Sequence, residues 1–389
     1  MFIGKRVTEL VILLWGAKHL KINRSKILPF KKPFITSYPS MAAAVAICQT
    51  RPEQTNAWLA SHILQLVAVD KSYIPNLGVN IIDFIDDIGR EGIPYHDYSV
   101  FHTYRFPRSI IVKHWRSPLN FVKEMITDGY YIRWNMDRMY VSCASEFRKN
   151  SFFHPIVIYG YDHSNLYVAD FFDGAFVLEK AATQGIHKAF GVQEPPRSNE
   201  SKYDYTREVA LHKLREFPYR FYLEDIIRDS QDYLNSQDST RKYITSSAHR
   251  DKIFTYGIDC YDVILKNVIV EGMNDIRPFH VLCDHKAMME FRVTFLRENL
   301  YIHDSDADEL ISELKTLMEK TTSLRNYVMK SFFTKQEERE GREGGKEGRE
   351  REGERNKEGK FMKTESSPGN EGKGSQFTVH LPPNSFHPA

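Results

Sequence analysis

The chain has 389 residues, a formal net charge of +2 and an aromatic content of 13%. That balance, with Lys and Arg spread out and not striped, excludes the electrostatic footprint of a nucleic-acid binder, and the aromatic content argues for a packed globular body. No apolar run reaches the roughly 18 residues of a membrane span, and the four cysteines, Cys48, Cys143, Cys260 and Cys283, are too far apart for a zinc ribbon or a disulfide scaffold. The expectation is a cytoplasmic protein with no nucleic acid, no membrane, no metal and no cofactor.

Residues 1–28 read as an N-terminal extension: basic, with one short apolar run at Leu10–Trp15 and no small-residue cleavage site after it. Met41-Ala42-Ala43-Ala44-Val45-Ala46-Ile47 favours helix, with Pro39 suited to the first turn and Ser37 or Ser40 to the cap. A second helix is expected over 56–69, and 78–88 reads as strand or short helix. Ser117-Pro118 opens another helix that Asp128-Gly129 ends. Strands are expected at 130–135 and 139–143 around a Met136-Asp137-Arg138 turn. Asp173-Gly174 signals a tight turn into a strand at 175–178.

Between these lies His154-Pro155-Ile156-Val157-Ile158-Tyr159-Gly160-Tyr161, a polar loop, then Leu166-Tyr167-Val168-Ala169-Asp170. It reads as a β-hairpin. With an odd loop, His154, Ile156, Ile158, Leu166, Val168 and Asp170 share one face, because strand side chains alternate. A symmetric loop sets His154 directly across from Asp170, with Cβ atoms roughly 5 Å apart. There the carboxylate can fix the imidazole tautomer, as in the base-and-orienter half of a catalytic triad. A structural hydrogen bond at a sheet rim is the plainer reading of the same pair.

Glu194-Pro195-Pro196-Arg197-Ser198-Asn199 reads as a linker. Beyond it the pattern turns helical, with candidates at 223–234, 258–269, 278–296 and from about 305. In the last, Leu310, Leu314, Leu317, Thr321, Leu324 and Val328 repeat as a short heptad seam, expected to pack inside a helical bundle. His280, Cys283, Asp284 and His285 gather on the third helix without a fourth partner cluster, so a helix face is favoured over a metal site. From Lys335 to Lys360 nearly every residue is Glu, Arg, Lys or Gly, and 335–389 is expected to be a disordered tail. Its end, 372–382, resembles the last strand of histidine-kinase ATP-binding domains. The asparagine and glycine boxes of such domains are not visible upstream.

Pro33-Phe34-Ile35-Thr36-Ser37-Tyr38-Pro39, Asp128-Gly129-Tyr130-Tyr131, the 154–162 stretch and Ala169-Asp170-Phe171-Phe172 together resemble the N-terminal domain family of butirosin biosynthesis protein H. The segments at 257–261 and 275–282 also look like members of that group. The resemblance implies a papain-like fold and transfer of an acyl group from a carrier-protein thioester to an amine through a cysteine. It assigns the base to His154 and the orienter to Asp170. The chain departs from the family at the nucleophile: the helix start near Tyr38-Pro39-Ser40 has no cysteine. Cys48 lies at the far end of that helix, where the dipole disfavours a thiolate, and Cys143 has no helix N-terminus to activate it. Ser40 or Ser37 stands nearest the expected place.

The sequence therefore implies an α+β protein: a papain-like domain at 29–195 and a mainly helical domain at 196–334. Two functions fit. One is a degenerate acyltransferase scaffold, an accessory of peptide-antibiotic assembly that binds a peptide, an acyl carrier protein or a peptide-synthetase component. The other is an active acyl- or aminoacyl-transferase or hydrolase using His154, Asp170 and Ser40 or Ser37. The oligomeric state is left open.

Overall fold

The computed structural model describes residues 25–70, 80–84, 98–115, 117–172, 174–191, 208–216, 219–239, 254–267 and 275–358, with the backbone alone for 332–333 and 335–358. In chain order its elements are β1 (Lys26–Ile27), α1 (Pro39–Cys48), α2 (Pro52–Ser61), β2 (Leu66–Val69), β3 (Ile81–Phe84), β4 (Phe101–Pro107), α3 (Arg108–His114), α4 (Pro118–Thr127), β5 (Tyr131–Asp137), β6 (Phe153–Tyr161), β7 (Asn165–Phe172), β8 (Ala175–Ala182), α5 (Thr183–Gly191), β9 (Glu208–Leu214), α6 (Leu223–Leu234), β10 (Phe254–Tyr256), α7 (Cys260–Leu265), α8 (Arg277–Glu298) and α9 (Asp304–Glu358). The protein is α+β, as the hairpin-linked strands and later helices imply. Among the described residues no helix is long and apolar enough to cross a membrane.

The described residues divide into two compact units. The first takes residues 25–61 and 98–221, the second 62–84 and those from 222 on. This division departs from a single boundary at 195. The reason is pairing at long range: β9, beyond that boundary, lies between β4 and β5 in the first unit, while β2 and β3, before it, pair with β10 in the second. The proposed linker at 194–199 lies outside the described residues.

The first unit holds an antiparallel sheet in the order β4-β9-β5-β6-β7-β8, with β1 added beside the end of β6. β1 corrects the reading of residues 1–28 as a bare extension. Ile27 pairs with Gly160, and Leu28 N–H donates to the Tyr159 carbonyl at 2.8 Å. A Cβ on Gly160 would sit 3.0 Å from the Ile27 Cα and the Lys26 carbonyl oxygen, so a larger residue would push β1 outward by a few tenths of an ångström. All ten residues of α1 are buried. A helix so apolar on every side has nowhere to go but the interior, and α1 packs against β6 and β7. α4 starts as its sequence suggests: Ser117 Oγ accepts from Leu119 N–H at 3.2 Å, and Gly129 ends it at φ +87°.

The second unit has the small sheet β10-β2-β3 and the helices α6 to α9. The helix expected over 56–69 is instead α2 followed by β2. Ile63 takes a left-handed turn at φ +58°, and Leu66–Val69 are all buried between two strands. The helix expected over 258–269 begins as a 3-10 turn at Gly257–Asp259 and continues as α7, and its last two residues lie outside the described residues. α9 continues through 335–358, where disorder was expected. Glu, Lys and Arg are good helix formers, and a charged stretch can be helical without burying a face. Residues 359–389, including the kinase-like end, lie outside the described residues.

Candidate functional site

β6 and β7 carry His154 and Asp170. The hairpin between them is closed by Asp162 N–H donating to the Asn165 carbonyl at 2.9 Å, which leaves a two-residue loop, His163-Ser164. The Asp162 carboxylate accepts from Ser164 N–H at 2.9 Å, from Asn165 N–H at 2.7 Å and from Tyr167 Oη at 3.1 Å. The Ser164 hydrogen bond first, then those of Asn165 and Tyr167, outweigh burial and hold this carboxyl down to about 2.

An even loop corrects the odd loop assumed from the sequence, and by itself it would send His154 and Asp170 to opposite faces. They stay on one face because β6 carries an extra residue. Tyr161 pairs with Leu166 and Gly160 with Tyr167, but after the irregularity at Tyr159, Ile158 pairs with Val168 and Val157 with Ala169. Such a bulge sets two residues against one and restores the parity. Continued by one pair, this register puts Asp170 opposite Ile156, so His154 lies diagonal to Asp170, not directly across. Diagonal neighbours are still within reach of an imidazole.

The two meet. His154 Nδ1 lies 2.9 Å from Asp170 Oδ2, and both residues are buried, Asp170 completely. Phe152 stacks on the imidazole at 5.8 Å. A third member was not singled out from the sequence, where Arg138 read as a turn residue. The stretch 139–143, expected as a strand, is instead a 3-10 turn at Arg138–Tyr140 followed by further turns. Asp137 shapes it, accepting from Met139 N–H and Phe152 N–H at 3.0 Å each and from Ser151 Oγ at 2.8 Å. The turn carries Arg138 inward, between Phe152 and Phe172. There its Nη2 donates to Asp170 Oδ2 at 2.6 Å and to the Phe171 carbonyl. Phe171 N–H donates to the other oxygen, Oδ1, at 2.7 Å.

These bonds fix the histidine tautomer. Nη2 has two hydrogens, taken by Asp170 and by the Phe171 carbonyl, so its 3.2 Å approach to His154 Nδ1 is no donation. Nδ1 therefore carries the proton that bridges to Asp170, and Nε2 is the basic nitrogen. Burial alone pushes the Asp170 carboxyl up, but His154 and then Arg138, by charge and hydrogen bond, hold it below the usual carboxylate range. The Asp170 carboxylate is thus ionised and oriented, the arrangement a general base needs from it.

Ser37 and Ser40 do not cap α1. Tyr38 occupies the N-cap with no side-chain hydrogen bond, Pro39 is the first helical residue, and Ser40 is the next, buried at 8% exposure. Proline at the first position needs no N–H partner, so a serine cap is dispensable here. The helix that begins with Pro39 and Ser40 packs against the two strands bearing His154 and Asp170.

Cys48, Cys143 and Cys260 are poor thiolates. Burial pushes the Cys48 thiol far up, and pushes Cys143 and Cys260 up to about 12. Glu179 and Asp170 add to the effect at Cys143. The 280–285 cluster resolves into separate roles. His285 is fully buried, with Nε2 2.9 Å from the Leu64 carbonyl oxygen, and Cys283 Sγ lies 3.9 Å from Thr322 Oγ1. Burial, then the charge of Arg325, brings His280 down to about 4. Among the described residues no three His, Cys, Asp or Glu side chains converge as a metal site would require. No family model matches the chain, and no curated protein matches it.

Proposed function

We propose that this protein is a papain-like scaffold of the butirosin biosynthesis protein H type that has kept the base and orienter and lost the nucleophile. In this reading it is an accessory of secondary-metabolite assembly that receives a peptide or the acyl arm of a carrier protein or peptide synthetase without reacting with it. The observation that carries it is the buried His154–Asp170 pair, 2.9 Å apart, on strands packed under a helix whose first turn is Pro39-Ser40-Met41-Ala42 and has no thiol. Arg138 supports it too. The guanidinium shares the Asp170 oxygen that would orient a working base, and such an ionic cluster stiffens a fold as readily as it serves chemistry.

A second reading, acyl transfer or hydrolysis through Ser40, draws on one feature. α1, which begins at Pro39-Ser40, packs on the strands that carry His154 and Asp170; a helix N-terminus suits an oxyanion, and the Nδ1–H tautomer makes Nε2 the nitrogen that would take a hydroxyl proton. One experiment separates the two. The wild type is incubated with an acyl carrier protein bearing a thioester and with active-ester probes, then weighed by intact mass spectrometry and assayed for carrier binding. Binding without a covalent adduct is the expected result. An acyl adduct lost in both Ser40→Ala and His154→Ala establishes the second reading, and neither binding nor adduct overturns both.

A further inference from the structure

α9 has apolar residues on two sides. Ala307, Ile311, Leu314, Met318 and Val328 are buried or half-buried, and the helix packs along α8. The remainder of the expected heptad seam does not pack into the bundle. Leu310, Leu317 and Leu324 are 43%, 42% and 46% exposed, and Tyr327 beside them is 72% exposed. Single exposed leucines are ordinary. Three in register every seventh residue make the line along which a second helix winds.

The charges of the same helix are sorted along its length. Asp304, Asp306, Asp308, Glu309 and Glu313 fill its start, whereas Lys315, Lys320, Arg325 and Lys330 follow, offset by Glu319 alone. A parallel copy would lay acid beside acid. An antiparallel copy lays the acidic start over the basic stretch, and antiparallel pairing of identical helices closes with two-fold symmetry.

We propose that the Leu310–Leu317–Leu324 stripe docks a second copy of this chain, the two α9 helices running antiparallel about Leu317. Leu317 meets its own equivalent. Leu310 meets the second copy's Leu324, and Glu313 comes beside the second copy's Lys320.

The full chain is tested by analytical ultracentrifugation over a concentration series. A monomer–dimer equilibrium is expected, weakened at least about tenfold by Leu317→Glu at unchanged helix content, since a charge replaces a buried apolar side chain. Glu313→Lys should weaken it as well, and adding Lys320→Glu should restore it. Orientation is read by cross-linking. A bridged dimer is expected when Leu310→Cys and Leu324→Cys chains are mixed, above the background of the native cysteines, and not from either alone. A monomer at every concentration, a dimer indifferent to Leu317→Glu, a double swap that does not restore, or cross-links within each variant alone overturns the proposal.

Discussion

Two buried histidines in this chain occupy opposite kinds of surroundings. His154 stands on a strand in an ionic cluster, its Nδ1–H bound to a carboxylate that an arginine also holds. His285 stands on a helix between aromatic rings, Phe84 at 6.2 Å and Tyr233 at 4.9 Å, and Nε2–H donates to the Leu64 carbonyl. Burial first, then the charges of Lys286 and Arg292, drives the His285 imidazole far below its ordinary range, so it is a neutral ring that packs. Burial is therefore no mark of function. What distinguishes His154 is a charged partner whose desolvation has to be offset by two cations or donors at once.

The comparison breaks most sharply at the charged cluster. Asp170→Ala takes from buried Arg138 its 2.6 Å carboxylate partner and leaves it the Glu146 carboxylate, at 3.5 Å, and a loss of about 3–5 kcal/mol is expected in urea unfolding followed by tryptophan fluorescence. A loss under about 1 kcal/mol would mean the cluster is as undemanding as the neutral histidine. His285→Phe keeps the rings packed and removes one hydrogen bond from the Leu64 carbonyl. It should cost less, about 1–3 kcal/mol in the same experiment followed by far-ultraviolet circular dichroism.

Acid should act on the second unit first. A histidine held low in the folded state contributes stability above its unfolded value of 6.5, and the contribution is lost as pH falls from there toward its folded value, about 4 for His280 and well below 6.5 for His285. The lowered Asp170 carboxyl has the opposite placement: its contribution is present above the carboxylate range and is lost only as pH drops through its depressed value. Trp58, Trp115 and Trp134 belong to the first unit, and the second contains no tryptophan. Between pH 6.5 and about 4, then, the helical dichroism should decline before the tryptophan signal moves. Coincident transitions would contradict the assignment. The smallest effect is expected from truncation after Thr334, which removes none of the described contacts of either histidine and should change stability by under about 0.5 kcal/mol.

The His154–Asp170 pair was legible in the sequence because strand alternation acts over a few residues. The route to it was not, since the even loop and the bulge at Tyr159 each alter parity and cancel. Arg138 was hidden for a different reason. Nothing in Asp137-Arg138-Met139 tells an inward arginine from an exposed one until Asp137 is seen gathering the N–H groups of Met139 and Phe152. β9 was missed because its partners, such as Phe101 for Leu214 and Tyr131 for His212, lie far off in the chain and leave no local period. Ser117-Pro118 and Leu223–Leu234, by contrast, carried their own start signals and patterns, and both formed where expected.

The bulge at Tyr159 also determines which changes of chain length this hairpin tolerates. A residue gained or lost at His163-Ser164 is absorbed by the turn, outside the paired part of the ladder. Deletion of Tyr159 rotates everything before it by one face: His154 would turn from Asp170, and Ile156 and Ile158 would exchange faces with Val157, all three of them buried. The tip of the hairpin therefore has more latitude in length than the strand behind it, where the single extra residue five positions after His154 behaves as a fixed spacer.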